Sequence, residues 1–189
     1  AENWSMEELS SVSIDDEKAG ETIVDYFIDR GHTKIAEIGA NLELSQTAIL
    51  RHNGYLNSLK KHGITPDERY YERARFSYDS AYRAMKKLLE KDIEITAVYA
   101  ISDVMAIGAI RAILDKGLRV PEDISITGFD GSTLAEYYNP KIVSIRQPHK
   151  DMAARSVELL FNMIDLHKGS CHEIIPFELT EGESVARID

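Results

Sequence analysis

The chain has 189 residues, 43% hydrophobic and 29% charged, enough for one globular domain or two small lobes. Its formal charge of −10 gives no sign of a nucleic-acid surface on this chain, which needs clustered Lys and Arg, although a separate basic module could be attached. A single cysteine, Cys171, rules out an intramolecular disulfide and fits a reducing, cytoplasmic compartment, and no apolar run approaches the roughly 18 residues of a membrane span.

Residues 1–10 are polar and acidic around Trp4 and read as a lead-in loop before a short strand at 12–14. Asp15-Asp16-Glu17 places carboxylates at a helix N-terminus, as caps and against the macrodipole. Ile23, Val24, Phe27 and Ile28 then repeat at helical spacing up to the glycine stop Arg30-Gly31. A strand is expected over 34–39 and an amphipathic helix over 45–62, with Ile49, Tyr55, Leu56 and Leu59 inward and Gly63 ending it. Residues 69–74 read as a strand, and Asp79 or Ser80 as the cap of a helix through Tyr82, Met85, Leu88 and Leu89.

The apolar run 97–101 has the look of a strand covered on both faces, emptying into a helix at Ser102-Asp103. From Val104 to Leu114 that helix has almost no polar face, so it needs cover beyond its own sheet, and a second copy of the protein is the cover expected. A turn at 117–121, a buried strand at 124–130 closing on Asp130, and a strand at 142–145 follow. After the break at Pro148 come a helix over 152–166 stopped at Lys168-Gly169, then strands over 173–179 and 184–188. The alternation predicts an α/β fold with a mostly parallel sheet.

In such sheets ligands bind beyond the carboxyl ends of the strands. Asn41, Ser102, Asp103, Phe129 and Asp130 fall there, with Arg51 on the helix after the first of these strands. Each has a plainer reading: Asp103 as a helix cap, Asp130 as a turn residue before Gly131, Arg51 as a solvated charge. Taken together, two acids and a guanidinium suit a neutral polyol, because a carboxylate accepts from paired hydroxyls and a guanidinium donates a rigid fork. Tyr70, Tyr71, Tyr78, Tyr137 and Tyr138 are core or surface aromatics that could also stack on a sugar ring. Signatures of cofactor-binding, phosphate-cradling, hydrolytic or zinc chemistry are absent, and the histidines at 32, 52, 62, 149, 167 and 172 show no metal-site spacing, so neither an enzyme, a cofactor nor a metal is expected.

Several blocks carry a more specific signal: residues 12–20, 30–36, 51–55, Ser102-Asp103-Val104-Met105-Ala106-Ile107-Gly108-Ala109, the run 117–130 (GLRVPEDISITGFD) and 183–188. They resemble successive motifs in the effector-binding region of the lactose-repressor/galactose-repressor (LacI/GalR) family of bacterial transcription regulators, over nearly the whole chain from Val12 to Ile188. The resemblance implies a three-layer αβα fold like that of periplasmic sugar-binding proteins, with a small sugar or related metabolite held between two lobes of a dimer. Operator DNA would be read through a head domain. By position, Arg51 matches the family's effector-clamping arginine, Asp130 the acid that receives sugar hydroxyls, and Phe76 an aromatic that stacks on the ligand. Ser102, at a position often held by Asn, Asp103, Thr47, Ser45 and His149 match further cleft positions. Val104, Met105, Ile107, Gly108, Ile110, Arg111 and Leu114 match a dimer-interface helix.

On this resemblance residues 1–34 belong to a partial first lobe, 35–146 to a nearly complete second lobe, 147–170 to a crossover and first-lobe helix, and 171–189 to strands returning to the second lobe. The chain is expected to be a fragment whose second lobe is well packed and whose first-lobe pieces are poorly supported. Alanine at Arg51 or Asp130 is expected to weaken effector binding and leave the fold intact. A sugar-binding protein for transport shares the architecture and is the alternative, separated by a signal peptide and a monomeric state; an enzyme on a flavodoxin-like sheet would need a nucleophile or cofactor loop that the chain lacks.

Overall fold

The computed structural model describes residues 10–43, 45–166 and 171–188. Its elements in order are β1 (Ser11–Ser13), α1 (Asp16–Ile28), β2 (Ile35–Gly39), α2 (Gln46–Lys61), β3 (Tyr71–Arg73), α3 (Tyr78–Glu90), β4 (Ala97–Ala100) and α4 (Asp103–Asp115). They continue as β5 (Ser125–Thr127), α5 (Thr133–Tyr137), β6 (Ile145–Arg146), α6 (His149–Leu166), β7 (His172–Ile174) and β8 (Glu178–Leu179).

The centre is a parallel sheet in the order β3-β2-β4-β5. Every residue of β2 and β4 is buried, as expected of strands covered on both faces. Register sets Glu37, Tyr99 and Thr127 side by side in a row across the sheet. That row faces α1 and α2, since His52 Nδ1 of α2 lies 2.6 Å from Glu37 Oε2. Helices α3 and α4 pack on each other so closely that a Cβ at Gly108 would stand 2.3 Å from the Tyr78 carbonyl oxygen. Beyond β5 the sheet is continued by isolated parallel bridges, Thr127 to Val143 and Asp130 to Arg146, and β8 pairs antiparallel with β6.

Local signals account for most element ends. Asp15 caps α1 by accepting from the Lys18 amide, Ser45 caps α2 by accepting from the Ala48 amide, and Gly31 and Gly63 follow the two helices at φ 89° and 72°. The cap of α3 is Ser77 rather than Asp79 or Ser80: its side chain accepts from the Ser80 amide, while the Ser80 hydroxyl accepts from the Arg75 amide. The strand expected at 69–74 opens with a single 3-10 turn at Glu68–Tyr70. The one expected at 173–179 divides into β7 and β8. Residues 184–188 run beside β5 without forming a strand, because part of their bonding goes through side chains: Ser184 Oγ donates to the Ile126 carbonyl and the Ala186 amide to Ser125 Oγ. Trp4 and the Lys168-Gly169 stop lie outside the described residues.

Packing divides the chain differently from the boundaries drawn on the sequence. β1 pairs in parallel with β7, and α6 rests on them through Ser10–Met163 and Arg155–Glu173 contacts. These three elements form a small body of their own, so β7 does not return to the main sheet. Helix α1, expected with β1, belongs to the main body instead: Ile23, Val24 and Phe27 are fully buried in its core and α1 packs along α2. Apolar exposure gathers on the small body, at Val157, Leu160, Phe161 and Ile164 on one side of α6 and at Ile174.

Helices α1 and α2 meet at two glycines. A Cβ on Gly54 would fall 2.2 Å from the Glu17 carbonyl oxygen and 2.8 Å from the Glu21 amide, and one on Gly20 would fall 2.6 Å from the Arg51 carbonyl oxygen. Backbone stands on the other side of both contacts, so neither clash is relieved by a rotamer change. Gly54→Ala is therefore expected to destabilise the chain by about 1–3 kcal/mol through overpacking, measured by urea unfolding, despite alanine's better helix propensity.

Candidate functional site

The carboxyl ends of β2, β4 and β5, with the start of α2, bring the polar candidates together. Arg51 is buried, which the amphipathic pattern of its helix alone would not require. Its Nε donates to Asp16 Oδ1 at 2.8 Å and its Nη1 to the Ile101 carbonyl at 2.7 Å, and its guanidinium carbon lies 3.5 Å from the centre of the Phe129 ring. Asp16 stands in the first turn of α1, beside the capping Asp15. Burial raises the Asp16 carboxyl above its ordinary value and the Arg51 charge opposes that rise.

Asp130 follows Phe129 with a positive φ of 118°, a sparsely populated backbone region for a residue with a side chain. The bend is held from both sides: the Asp130 amide donates to the Ile145 carbonyl, the Gln147 amide to the Asp130 carbonyl, and Gln147 Nε2 to Asp130 Oδ1 at 2.8 Å. Burial, with the Asp103 charge adding to it, lifts the Asp130 carboxyl to about 6 against the lowering effects of Arg51, Gln147 and His149.

Ser102 and Asp103 are used inside the fold. Ser102 is the N-cap of α4, its hydroxyl accepting from the Met105 amide. Asp103, almost fully buried, accepts from the Ser144 hydroxyl at 2.6 Å on one oxygen and from the Ser132 amide at 2.7 Å on the other, while its own amide donates to the Phe129 carbonyl. It braces the start of α4 to the 128–132 turn. The cap of α4 is thus Ser102, and Asp103, read from the sequence as the cap, stands in the first turn of the helix instead. Ser45 is likewise a cap, Thr47 is buried at the start of α2, Phe76 is half exposed beyond β3, and His149 is exposed at the start of α6 within electrostatic reach of Asp130. Asn41 Oδ1 accepts from the Glu43 amide.

Two members of the cluster were missed from the sequence. Asp16 sits in an acidic triplet that a helix start explains by itself, and Gln147 lies between a strand and Pro148 with no pattern around it. Among the described residues no group of three His, Cys, Asp or Glu side chains could hold a metal ion. No helix of the described residues is long and apolar enough to cross a membrane.

The expected dimer helix is mostly covered by its own chain. Met105 and Ile110 are fully buried and Gly108 meets α3, which removes these three from an outward face. The sheet, α3 and α5 thus supply most of the cover that the apolar pattern demanded. What remains outward is Val104 and Ile107, half-buried, with Arg111 and Leu114 exposed. Leu134 and Tyr137 of α5 are exposed as well.

Residues 24–185 match the family described as periplasmic binding protein-like domain. The HTH-type transcriptional regulator MalR of Clostridium butyricum is 41% identical over 179 residues, covering 95% of this chain and 53% of MalR. The HTH-type transcriptional repressor PurR of Vibrio atlanticus (strain LGP32) is 34% identical over 179 residues, covering 94% of this chain and 52% of the repressor. Among solved structures, the transcriptional regulator CelR–cellobiose complex superposes with a TM-score of 0.90 at 32% identity, covering 94% of this chain and 54% of that one. The chain thus spans about half the length of the curated relatives it matches.

The Arg51–Asp16 pair is the buried electrostatic contact on which the cluster is built. Asp16→Ala is expected to cost about 3–5 kcal/mol by leaving a buried guanidinium uncompensated. Lys18→Ala, which removes an exposed pair with Glu21, should stay within about 1 kcal/mol of the parent. Urea unfolding of the two variants checks the contrast.

Proposed function

The chain belongs to the periplasmic binding protein-like domain family, in the branch of LacI-type transcription regulators, and from that premise we propose that it senses a small sugar or related metabolite and passes the binding event to a DNA-reading head. The observation that carries this reading is the convergence of Arg51, Phe129, Asp130 and Gln147 at the mouths of neighbouring parallel strands. Asp130 accepts from ligand hydroxyls, the Arg51 guanidinium donates, and Phe76 at the rim offers a ring face to the CH surface of a sugar. Ser102 and Asp103 shape the site from behind, without a ligand contact of their own. The cellobiose named with the CelR structure makes a sugar the first class to test.

Coupling follows from where Gln147 stands. It is the first residue past β6, in one of the three segments that cross between the main sheet and the β1–β7–α6 body, the others being 14–15 and 175–177. A ligand that engages Asp130 acts directly on the base of that crossover, and His149 at the start of α6 faces it from the other body. A ligand that binds better to one arrangement of the two bodies shifts the population toward it. The shift reaches DNA by changing the spacing of two heads in a dimer.

Arg51 is a poor probe of this site: alanine there leaves Asp16 buried without its cation, so loss of fold and loss of binding coincide, contrary to the expectation of an intact fold. Asp130→Asn separates them. A proton and a ligand hydroxyl compete for the same carboxylate oxygen, so affinity should be full well above pH 6, be about halved near 6 and fall below it by at most about tenfold per unit. Isothermal titration with cellobiose and a panel of monosaccharides should show this slope in the parent and its loss in Asp130→Asn. An unchanged affinity and slope in the variant would refute the site.

The outward strip Val104, Ile107, Arg111 and Leu114 repeats at spacings of three and four, the seam that two helices bury against each other, and Leu134 and Tyr137 extend it. We take this strip as the homodimer contact. Leu114→Glu should convert a sedimenting dimer to a monomer while the circular dichroism of the fold is unchanged; a variant that sediments as the parent does removes the strip from the interface.

A further inference from the structure

On the flank of the main body, α2 and the edge strand β3 border a groove of about 580 Å³ whose lining includes none of Arg51, Phe129, Asp130 and Gln147. A cavity of that size holds a small metabolite. Its walls are aromatic and fixed: Tyr55 donates its hydroxyl to the Ile35 carbonyl and Tyr71 to the Ala40 carbonyl, which leaves ring surface rather than hydroxyls toward the space. Leu56 adds apolar wall, and His52 lies between the two rings, 4.9 Å from Tyr71 and 6.1 Å from Tyr55 by centroid.

His52 is anchored from beneath by Glu37, a carboxyl with no solvent exposure, through the 2.6 Å contact at Nδ1. The anchor fixes what the other ring nitrogen can do. If Glu37 is ionised and the imidazole charged, Nε2 carries a hydrogen. If Glu37 is protonated and donates to Nδ1, the neutral ring again carries its hydrogen on Nε2. The remaining state, an ionised Glu37 beside a neutral ring protonated at Nδ1, buries an uncompensated charge, and burial pushes the Glu37 carboxyl above its ordinary value against that state. Both favoured states make Nε2–H a donor on a ring that lines the groove. Lys60 and Arg73 line it as well, both exposed, so the donors gather around one space. Of the acids at the lower end, Asp67 is already held by Arg69 in a two-point contact, at 2.9 Å from Nε and 2.7 Å from Nη2, and Glu68 is exposed.

We propose that this groove is a second small-molecule site, separate from the strand-end cluster, for an organic anion that carries a ring. Its carboxylate or phosphate meets His52 Nε2 and the flanking cations, and its ring lies against Tyr71 and Leu56. The fixed phenols make the apolar wall rigid, and the Glu37 anchor aims the donor before a ligand arrives.

Imidazole proton–nitrogen correlations of the 189-residue chain, recorded while phenyl phosphate is added, test the site. The expected result is a saturable shift of the His52 signals with a midpoint on the order of 1 mM, and at least about tenfold weaker responses to inorganic phosphate and to phenol added separately. His52→Gln should abolish saturable binding, read on the backbone amides around the groove. Lys60→Ala, a change at an exposed side chain, should weaken binding by about threefold with the thermal midpoint unchanged. If His52→Gln fails to fold, Lys60→Ala decides. The absence of a saturable response, equal binding of inorganic phosphate alone, or affinity unaltered in the folded variants overturns the proposal.

Discussion

A buried guanidinium determines how the main body is put together. Arg51 reaches from α2 to the first turn of α1 at Asp16 and to the end of β4 at Ile101, and lies over Phe129 at the end of β5. Four elements therefore meet at one side chain. A buried ion pair is a weak source of stability, because desolvation offsets most of its Coulombic gain. Its value here is geometric: the planar fork admits one relative placement of α1, α2 and the strand ends. The Gly20–Gly54 contact allows the two helices to approach closely enough for the pair to form.

The acids at the strand ends are not equally committed. Asp16 and Asp130 both feel the charge of Arg51, Asp103 acts on Asp130, and burial raises the carboxyl of all three. Asp16 is engaged by that arginine, and Asp103 is committed on both oxygens to Ser144 and Ser132. Asp130 alone stands at a strained backbone position with a side-chain amide on one oxygen. A hydroxyl group would offer what such a carboxylate lacks, a donor that brings no charge, whereas an anionic group would meet the charge of Asp130 directly.

Much of this was legible in the residues. Period and length gave the order of strands and helices, Asp15 and Ser45 announced helix starts, and Arg51 and Asp130 stood out as polar residues at strand mouths. Asp16 was not legible, because an acid in a helix's first turn is already explained by the macrodipole and nothing local reveals a partner 35 positions away. Helix α4 was over-read for a related reason. An apolar surface demands cover, but its sequence cannot distinguish cover by the same chain from cover by a second one: Met105 and Ile110 are fully buried within this chain, and Gly108 lies against Tyr78 of α3. Helix α1 was grouped with β1 on the family resemblance, yet Ile23, Val24 and Phe27 are buried in the main core and α1 packs along α2.

Adjacent residues of a helix stand about 100° apart around its axis, and α2 uses that angle to serve two environments. Arg51 turns toward the acids at the strand ends, and His52 turns toward Glu37 and the flank groove. With a ligand at each place, any adjustment of α2 that re-seats one side chain re-seats the other, and the resulting coupling acts equally in both directions. The glycine contact limits what such an adjustment can be. With backbone against backbone at Gly20 and Gly54, α2 has no room to approach α1 more closely, so the placement of one helix is tied to that of the other. Toward the sheet, the adjacent Arg51 and His52 are held at the Ile101 carbonyl on one side and at Glu37 on the other, so both places share one helix and one set of sheet contacts.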